Sequence, residues 1–215
     1  MKNNGQISKK YLQAVKERVL RLDSSQDIIL KALDALFEDF IFNSHLSLYN
    51  SLFLKRKLIG LYIYGKSGGG KSILTDIFLR EISTSLPEIK IKRIHFHQFM
   101  IEVHSLIKKK REENSNDAIL DASKYICSNL EILYLDEFEV IDVADAMILS
   151  RLFNILISKK LVIIITSNIK PDDLYLHGLQ RLRFLPFINK IKHNLKVMRV
   201  SNELDHRLHH EKEIK

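Results

Sequence analysis

The sequence predicts an α/β fold built on a parallel sheet, and three observations carry that expectation. Short apolar runs rich in β-branched and aromatic residues alternate with longer stretches of helical periodicity, the order that makes parallel strands joined by crossover helices. Four of the seven glycines (Gly65, Gly68, Gly69, Gly70) fall within six positions, directly after the first such run. The 215 residues are 46% hydrophobic and 28% charged, which gives one globular domain, with or without a small appendage, enough apolar surface to bury a core.

The elements follow in chain order. From about Ser8 to Asn43 the pattern is helical: Leu12, Val15, Val19 and Leu20, then Ile29, Leu30, Leu33, Leu36 and Phe37, recur at helical spacing. Asp23-Ser24-Ser25 supplies N-cap chemistry between two helices. Leu58 to Tyr64 reads as a buried strand, and Lys71 to Ser83 as a helix. Ile89 to Phe96 is a second strand, followed by helices from about Gln98 to Glu113 and Asp117 to Ser128. Leu130 to Leu135 is a third strand, Val143 to Ser158 a long helix, Leu161 to Thr166 a fourth strand and Lys196 to Val200 a fifth. Residues 1–57 form a helical N-terminal extension in this reading, 58–201 the core and 202–215 a polar tail.

Composition excludes several classes. No apolar run approaches the roughly 18 residues that would span a bilayer. The start, Met1-Lys2-Asn3-Asn4-Gly5, has neither a secretory apolar core nor an Arg-rich amphipathic stretch. The single cysteine, Cys127, excludes an internal disulfide and a cysteine-based metal site. The expected location is the cytoplasm. A net charge of +8 permits contact with nucleic acid or an acidic membrane surface. The basic clusters Lys55-Arg56-Lys57, Lys108 to Arg111 and Lys159-Lys160 are short and scattered, however, and read as solvated surface. Nucleic acid is not an expected partner.

Gly65-Lys66-Ser67-Gly68-Gly69-Gly70-Lys71-Ser72 fits the pattern of Gly, four residues, Gly-Lys-Ser, and lies between a strand and a helix as that motif requires. A flexible linker would not sit between two elements of one sheet. Small residues let successive backbone N–H groups turn toward phosphates, and the helix N-terminus adds a positive dipole end. Gly65 through Ile73 (Gly65, Lys66, Ser67, Gly68, Gly69, Gly70, Lys71, Ser72, Ile73) are therefore the expected binding residues for a nucleoside triphosphate. Lys71 reaches the β- and γ-phosphates, and Ser72 holds Mg²⁺.

Leu133-Tyr134-Leu135-Asp136-Glu137 puts two carboxylates at the carboxyl end of a buried strand, the side on which open α/β sheets bind ligands. Asp136 is the expected second metal residue, and Glu137 the group that polarises the attacking water. Capping of the next helix is the plainer alternative for such a pair. The fourth strand ends in Thr166-Ser167-Asn168, from which Asn168 can reach the water or the γ-phosphate. The strand order suggests the phosphate-loop subgroup with an extra strand between the loop strand and the acidic strand.

Longer strings then become recognisable: His95-Phe96-His97-Gln98-Phe99-Met100 with Val103-His104; Asp136-Glu137-Phe138 with Asp142 and Asp145-Ala146-Met147-Ile148-Leu149; Thr166-Ser167-Asn168; and Leu174-Tyr175 with Gly178-Leu179-Gln180-Arg181 and Phe184-Leu185-Pro186. Together, over roughly residues 9 to 207, they resemble the ZapE cell-division ATPases and their mitochondrial AFG-like relatives, a branch of the AAA+ ATPases. The resemblance implies a three-layer α/β/α P-loop NTPase with a five-stranded parallel sheet. It implies Mg²⁺-dependent ATP hydrolysis, with Lys71, Ser72, Asp136, Glu137 and Asn168 in the roles above. It also implies a homo-oligomer in which an arginine acts in trans on a neighbour's γ-phosphate. Arg181, read as lying in a loop, is the candidate, with Arg183 second. Bacterial members resemble partners of the tubulin-like division protein that act near the inner membrane without spanning it; mitochondrial ones act in protein quality control.

The chain departs from the resemblance at its end. Family members continue beyond the string that here reads Asp205-His206-Arg207, so a C-terminal lid is expected to be largely absent. Two competing functions follow from particular features: a nucleotide-gated binding module with little hydrolysis, from the missing lid, and a DNA-associated loader-type ATPase, from the charge. His95, His97 and His104 lack a carboxylate or cysteine at ligand spacing and read as organising the site rather than binding metal. His206, His209 and His210 read as a solvated end.

Overall fold

The computed structural model describes residues 5–46 and 60–200. Lys55-Arg56-Lys57, the start of the first predicted strand and the histidine-bearing tail lie outside them. The chain forms two compact units. One comprises residues 1–55, 65–87 and 198–215, the other 56–64 and 88–197.

The first unit contains three helices that pack on one another: α1 (Gln6–Lys16), α2 (Asp27–Leu46) and α3 (Lys71–Ser85). Their buried stripes are Ile7 and Tyr11; Ile29, Leu30, Leu33, Leu36, Phe37 and Phe40; and Leu74, Phe78, Leu79 and Ile82, at the spacing that brings residues onto one helix face. Asp34 of α2 caps α1 from a distance. Its Oδ1 accepts the N–H groups of Ile7 at 2.7 Å and Ser8 at 3.2 Å, and its Oδ2 accepts the Ser8 hydroxyl. Donors without an intrahelical partner at a helix start are thereby satisfied. The helical pattern predicted through Leu20 stops at Lys16; Arg18 has φ 59° and Val19 is exposed. Asp23 caps a short 3₁₀ turn, Ser24–Gln26, by accepting the Ser25 N–H at 2.9 Å.

The second unit carries β1 (Gly60–Tyr64), β2 (Ile91–His95), α4 (Phe96–Glu112), α5 (Ala118–Asn129), β3 (Ile132–Asp136), α6 (Val143–Ser158), β4 (Val162–Ser167) and α7 (Arg181–Asn194). β5 (Lys196–Arg199) runs across the unit boundary. The sheet is five-stranded, in the order β2-β3-β4-β1-β5. β4 therefore separates the strand that leads into the glycine cluster from the strand that ends in Asp136, as the chain order suggested. Parallel registers align the carboxyl ends: Tyr64 pairs with Ser167, Leu135 with Ile165, and His95 with Asp136.

Tyr62, Leu133, Leu135, Ile163 and Ile165 share one face of this sheet and form a core with α4, α5, α6 and α7. Phe138, just past β3, stands at its centre, with ring centroids 4.4 Å from Phe96, 6.1 Å from Phe187, 6.3 Å from Tyr62 and 6.4 Å from Phe153. The opposite-face residues Leu61, Ile63, Tyr134 and Ile164 are fully buried too. Burial on both faces explains why these strands read as continuous apolar runs rather than alternating ones.

Helix α7 has no counterpart in the sequence reading. Pro186 lies inside it and Gln180 precedes it with φ 56°, two local features that argue against a helix. Burial of Phe184, Phe187, Ile188 and Ile191 overrides them. Arg181 is thus the first residue of a helix and not a loop residue.

Candidate functional site

In the first unit, the glycine cluster leads into α3. Gly68 and Gly70 have φ of 80° and 79°, left-handed values that cost other residues about 1–2 kcal/mol each. The Gly69 N–H donates to the Lys66 carbonyl at 3.3 Å and closes a turn. From the 3₁₀ turn, the Gln26 Nε2 donates to the Gly69 carbonyl at 3.2 Å. A Cβ at Gly70 would meet that same Nε2 at 2.5 Å.

Lys71 is the first residue of α3 and is buried. Its Nζ donates to the carbonyls of Gly65 at 2.6 Å and Lys66 at 2.9 Å, so the ammonium is folded over the loop's own backbone. Ser72 is half-buried in the first turn, and Ile73 is exposed. The Thr75 hydroxyl ties down the carbonyls of Lys71 and Ser72. The helix begins without acidic residues in its first turn, leaving the positive end of its dipole uncompensated there.

In the second unit, β3 ends in Asp136, which is 6% exposed. Its Oδ1 accepts the Thr166 hydroxyl from β4 and the Glu137 N–H at 3.1 Å. Its Oδ2 accepts Nη2 of Arg93, from β2, at 3.3 Å. Burial alone would push this carboxyl up, but hydrogen bonds from Thr166, Arg93 and Tyr134, with the nearby guanidinium charge, hold it below its ordinary value. A buried carboxylate kept ionised by hydroxyl and cationic partners has the chemistry of a divalent-cation ligand.

Glu137 turns sharply at φ 54° and leaves its side chain 77% exposed, 3.6 Å from Nδ1 of His95. The turn is pinned behind it. The Phe138 N–H donates to the Thr166 carbonyl at 2.8 Å, and the Ser167 hydroxyl donates to the Phe138 carbonyl at 2.6 Å. Asn168 is exposed, immediately after β4. The structure thus brings Asp136, Glu137 and the end of β4 together.

Arg181 is directed elsewhere. Its Nη2 donates to the Asp172 carbonyl at 2.6 Å, and its Nε is buried with no partner among the described residues. Arg183 is exposed.

Two of the three histidines face carboxylates. His104 Nε2 lies 2.7 Å from Asp145 Oδ1, and His95 faces Glu137. Both partners come from distant elements, which local spacing does not register. Among the described residues, no group of three or more His, Cys, Asp or Glu is placed to hold a metal ion. Nor is any described helix long and apolar enough to cross a membrane. Sequence reasoning passed over Arg93 and gave Gln26 and Ser167 no role of their own. Only the alternation of β2 could have signalled Arg93, a charged residue in an otherwise strand-like run.

A model of the AFG1-like ATPase family matches residues 6–215. The chain belongs to that family. The cell division protein ZapE of Escherichia coli K12 is 34% identical over 213 residues, covering 92% of this chain and 55% of the relative; the chain spans about half the length of that AFG1-like ATPase. Solved structures extend the likeness in fold. DnaI superposes with a TM-score of 0.53 at 16% identity, over 86% of this chain and 89% of that one. AMPPCP-bound DnaA from Aquifex aeolicus gives 0.54 at 16% identity, over 85% of this chain and 48% of that one. These neighbours establish a P-loop NTPase fold.

Proposed function

We propose that this AFG1-like chain binds ATP with Mg²⁺ and hydrolyses it to ADP and phosphate. The observation that carries the reading is the end of β3, where a buried, ionised Asp136 is followed by an exposed Glu137 on a pinned turn. That is a metal ligand beside a group free to meet water.

In this reading the loop from Gly65 to Ile73 cradles the phosphates through its backbone. Lys71 exchanges its carbonyl partners for phosphate oxygens. The Ser72 hydroxyl and the Asp136 carboxylate are the groups that would hold Mg²⁺, which would supply charge neutralisation for the phosphates. Glu137 accepts a hydrogen bond from the attacking water through a carboxylate oxygen and orients it, and Asn168 offers its amide to the same water or to the γ-phosphate. Arg181, or the exposed Arg183, acts in trans within a homo-oligomer. For cellular context we propose a role in cell division, on the strength of the E. coli relative's name, and, from the family resemblance of the sequence, a cytoplasmic place with the tubulin-like division protein as partner.

The test uses phosphate release and binding of a fluorescent ATP analogue side by side. Lys71→Ala is expected to lower turnover by about 10²- to 10³-fold and to weaken binding. Glu137→Gln is expected to abolish turnover while retaining the analogue. Wild-type turnover no faster than that of Glu137→Gln overturns the hydrolytic reading. Arg181→Ala and Arg183→Ala, assayed across protein concentration, identify the trans-acting residue by which one removes the rise in rate with assembly.

A further inference from the structure

The segment that follows β3 alternates between core and solvent. Phe138 and Val140 are buried in the core, whereas Glu137, Glu139 and Ile141 are exposed. These three side chains line an open groove of about 570 Å³. Helix α4 contributes Phe96, Met100 and Ile101 to it, and the start of α6 adds Asp142 and Asp145. The whole groove lies within the second unit.

Two properties of the lining point to one kind of guest. The first is apolar surface: Ile141 is 78% exposed and Ile101 48% exposed, and covering such side chains removes them from water. The second is charge. Glu137, Glu139, Asp142 and Asp145 line the groove and, among the described residues, no lysine or arginine does, although the chain as a whole carries +8. Asp142 caps α6 by accepting the N–H groups of Ala144 at 2.6 Å and Asp145 at 3.3 Å, and Asp145 is held by His104. Glu139 has no hydrogen bond or ion pair among the described residues. The wall that bears it is anchored at Phe138, through the Thr166 carbonyl and the Ser167 hydroxyl, so a guest meets a surface already ordered.

We propose that this groove binds a cationic, apolar segment of a partner protein. Apolar side chains of that segment cover Ile101 and Ile141, and a lysine or arginine between them meets Glu139. The same carboxylates count against a phosphate backbone or an anionic lipid surface as the guest. A cationic segment is drawn by the local charge of the groove, against the net charge of the molecule. Glu137 enters here only as a charge on the wall, so the groove does not depend on the hydrolytic reading.

A random peptide library displayed on phage, selected against the full chain without nucleotide, tests this. The enriched peptides are expected to combine lysine or arginine with leucine, isoleucine or phenylalanine. The most enriched of them, labelled with fluorescein, then reports affinity by anisotropy. Glu139→Lys is expected to weaken binding about three- to tenfold, by losing one exposed ion pair and adding a repulsion. Ile141→Ser is expected to weaken it about tenfold through lost apolar burial. Glu139→Gln should fall between wild type and Glu139→Lys. Both positions are exposed, so neither substitution should disturb folding, and denaturant midpoints check this. Enrichment of acidic peptides, no enrichment, or an affinity unchanged in both Glu139→Lys and Ile141→Ser overturns the proposal. Sedimentation covers the other occupant: self-association of wild type that Ile141→Ser abolishes gives the groove to a second copy of the chain and overturns it too.

Discussion

The glycine loop and the acidic strand end are built on opposite plans. In the loop, Lys71 donates to backbone carbonyls five and six residues away. At the acidic end, Asp136 takes the N–H of its neighbour Glu137 but also meets side chains 30 and 43 residues away, Thr166 and Arg93. A phosphate cradle needs backbone N–H groups and tolerance of left-handed φ, which a short run of glycine supplies by itself. A buried carboxylate at a strand end needs donors from neighbouring strands, and only the sheet can assemble those. The loop is local chemistry, whereas the acidic end is a tertiary product. Substitutions at the two places should therefore fail in different ways.

The largest effect is expected where the acidic end is anchored. Phe138 follows Glu137 directly, is fully buried, and packs against Phe96, Tyr62, Phe153 and Phe187. Phe138→Ala removes the centre of that cluster and should cost about 3–5 kcal/mol of stability, measured by chemical denaturation. If the acidic end is a tertiary product, ATP turnover should fall in the same variant under conditions where it is still folded. Turnover at the wild-type rate in the folded variant would show that Asp136 and Glu137 keep their geometry without the core behind them.

Substitutions in the loop should act through backbone conformation. Gly70→Ala puts a side chain at φ 79° and within 2.5 Å of Gln26 Nε2, so about 1–2 kcal/mol of strain is expected together with loss of the Gln26–Gly69 contact. Gly68→Ala has nearly the same φ, but its Cβ meets nothing within 4 Å. Both should weaken binding of an ATP analogue, Gly70→Ala the more. Gln26→Ala, with the glycines intact, should reproduce the difference between them. Equal losses in the two glycine variants would reduce Gln26 to a bystander.

The same distinction explains what could be read from the sequence. The strand–loop–helix motif was legible because its chemistry lies in contiguous residues, and Asp136-Glu137 because the pair ends an apolar run. The extra strand between β1 and β3 followed from strand succession. Arg93 was not legible, since a charged residue in a strand gives no sign of which carboxylate it will face. The carboxylate partners of His95 and His104 were hidden for the same reason. Helix α7 was missed because Pro186 is a strong local signal against a helix, and the burial that overrules it depends on Phe138 and Phe153, far earlier in the chain.

The smallest effect concerns acid. Burial would raise the carboxyl of Asp136, but hydrogen bonds from Thr166, Arg93 and Tyr134 outweigh it and hold the group below its ordinary value. A group lowered by folding contributes stability above the ordinary carboxylate range and loses it as pH falls through its folded value. Asp136→Asn should therefore be less stable than wild type near neutrality, and the gap should close on acidification below that range. Denaturant midpoints measured down the acid limb give the comparison directly. A gap that stays constant with pH would mean that Asp136 is ionised no more readily in the folded chain than in the unfolded one. The donors from β2 and β4 would then fix only the direction of the carboxylate, and the acidic end would be tertiary in its geometry but not in its charge.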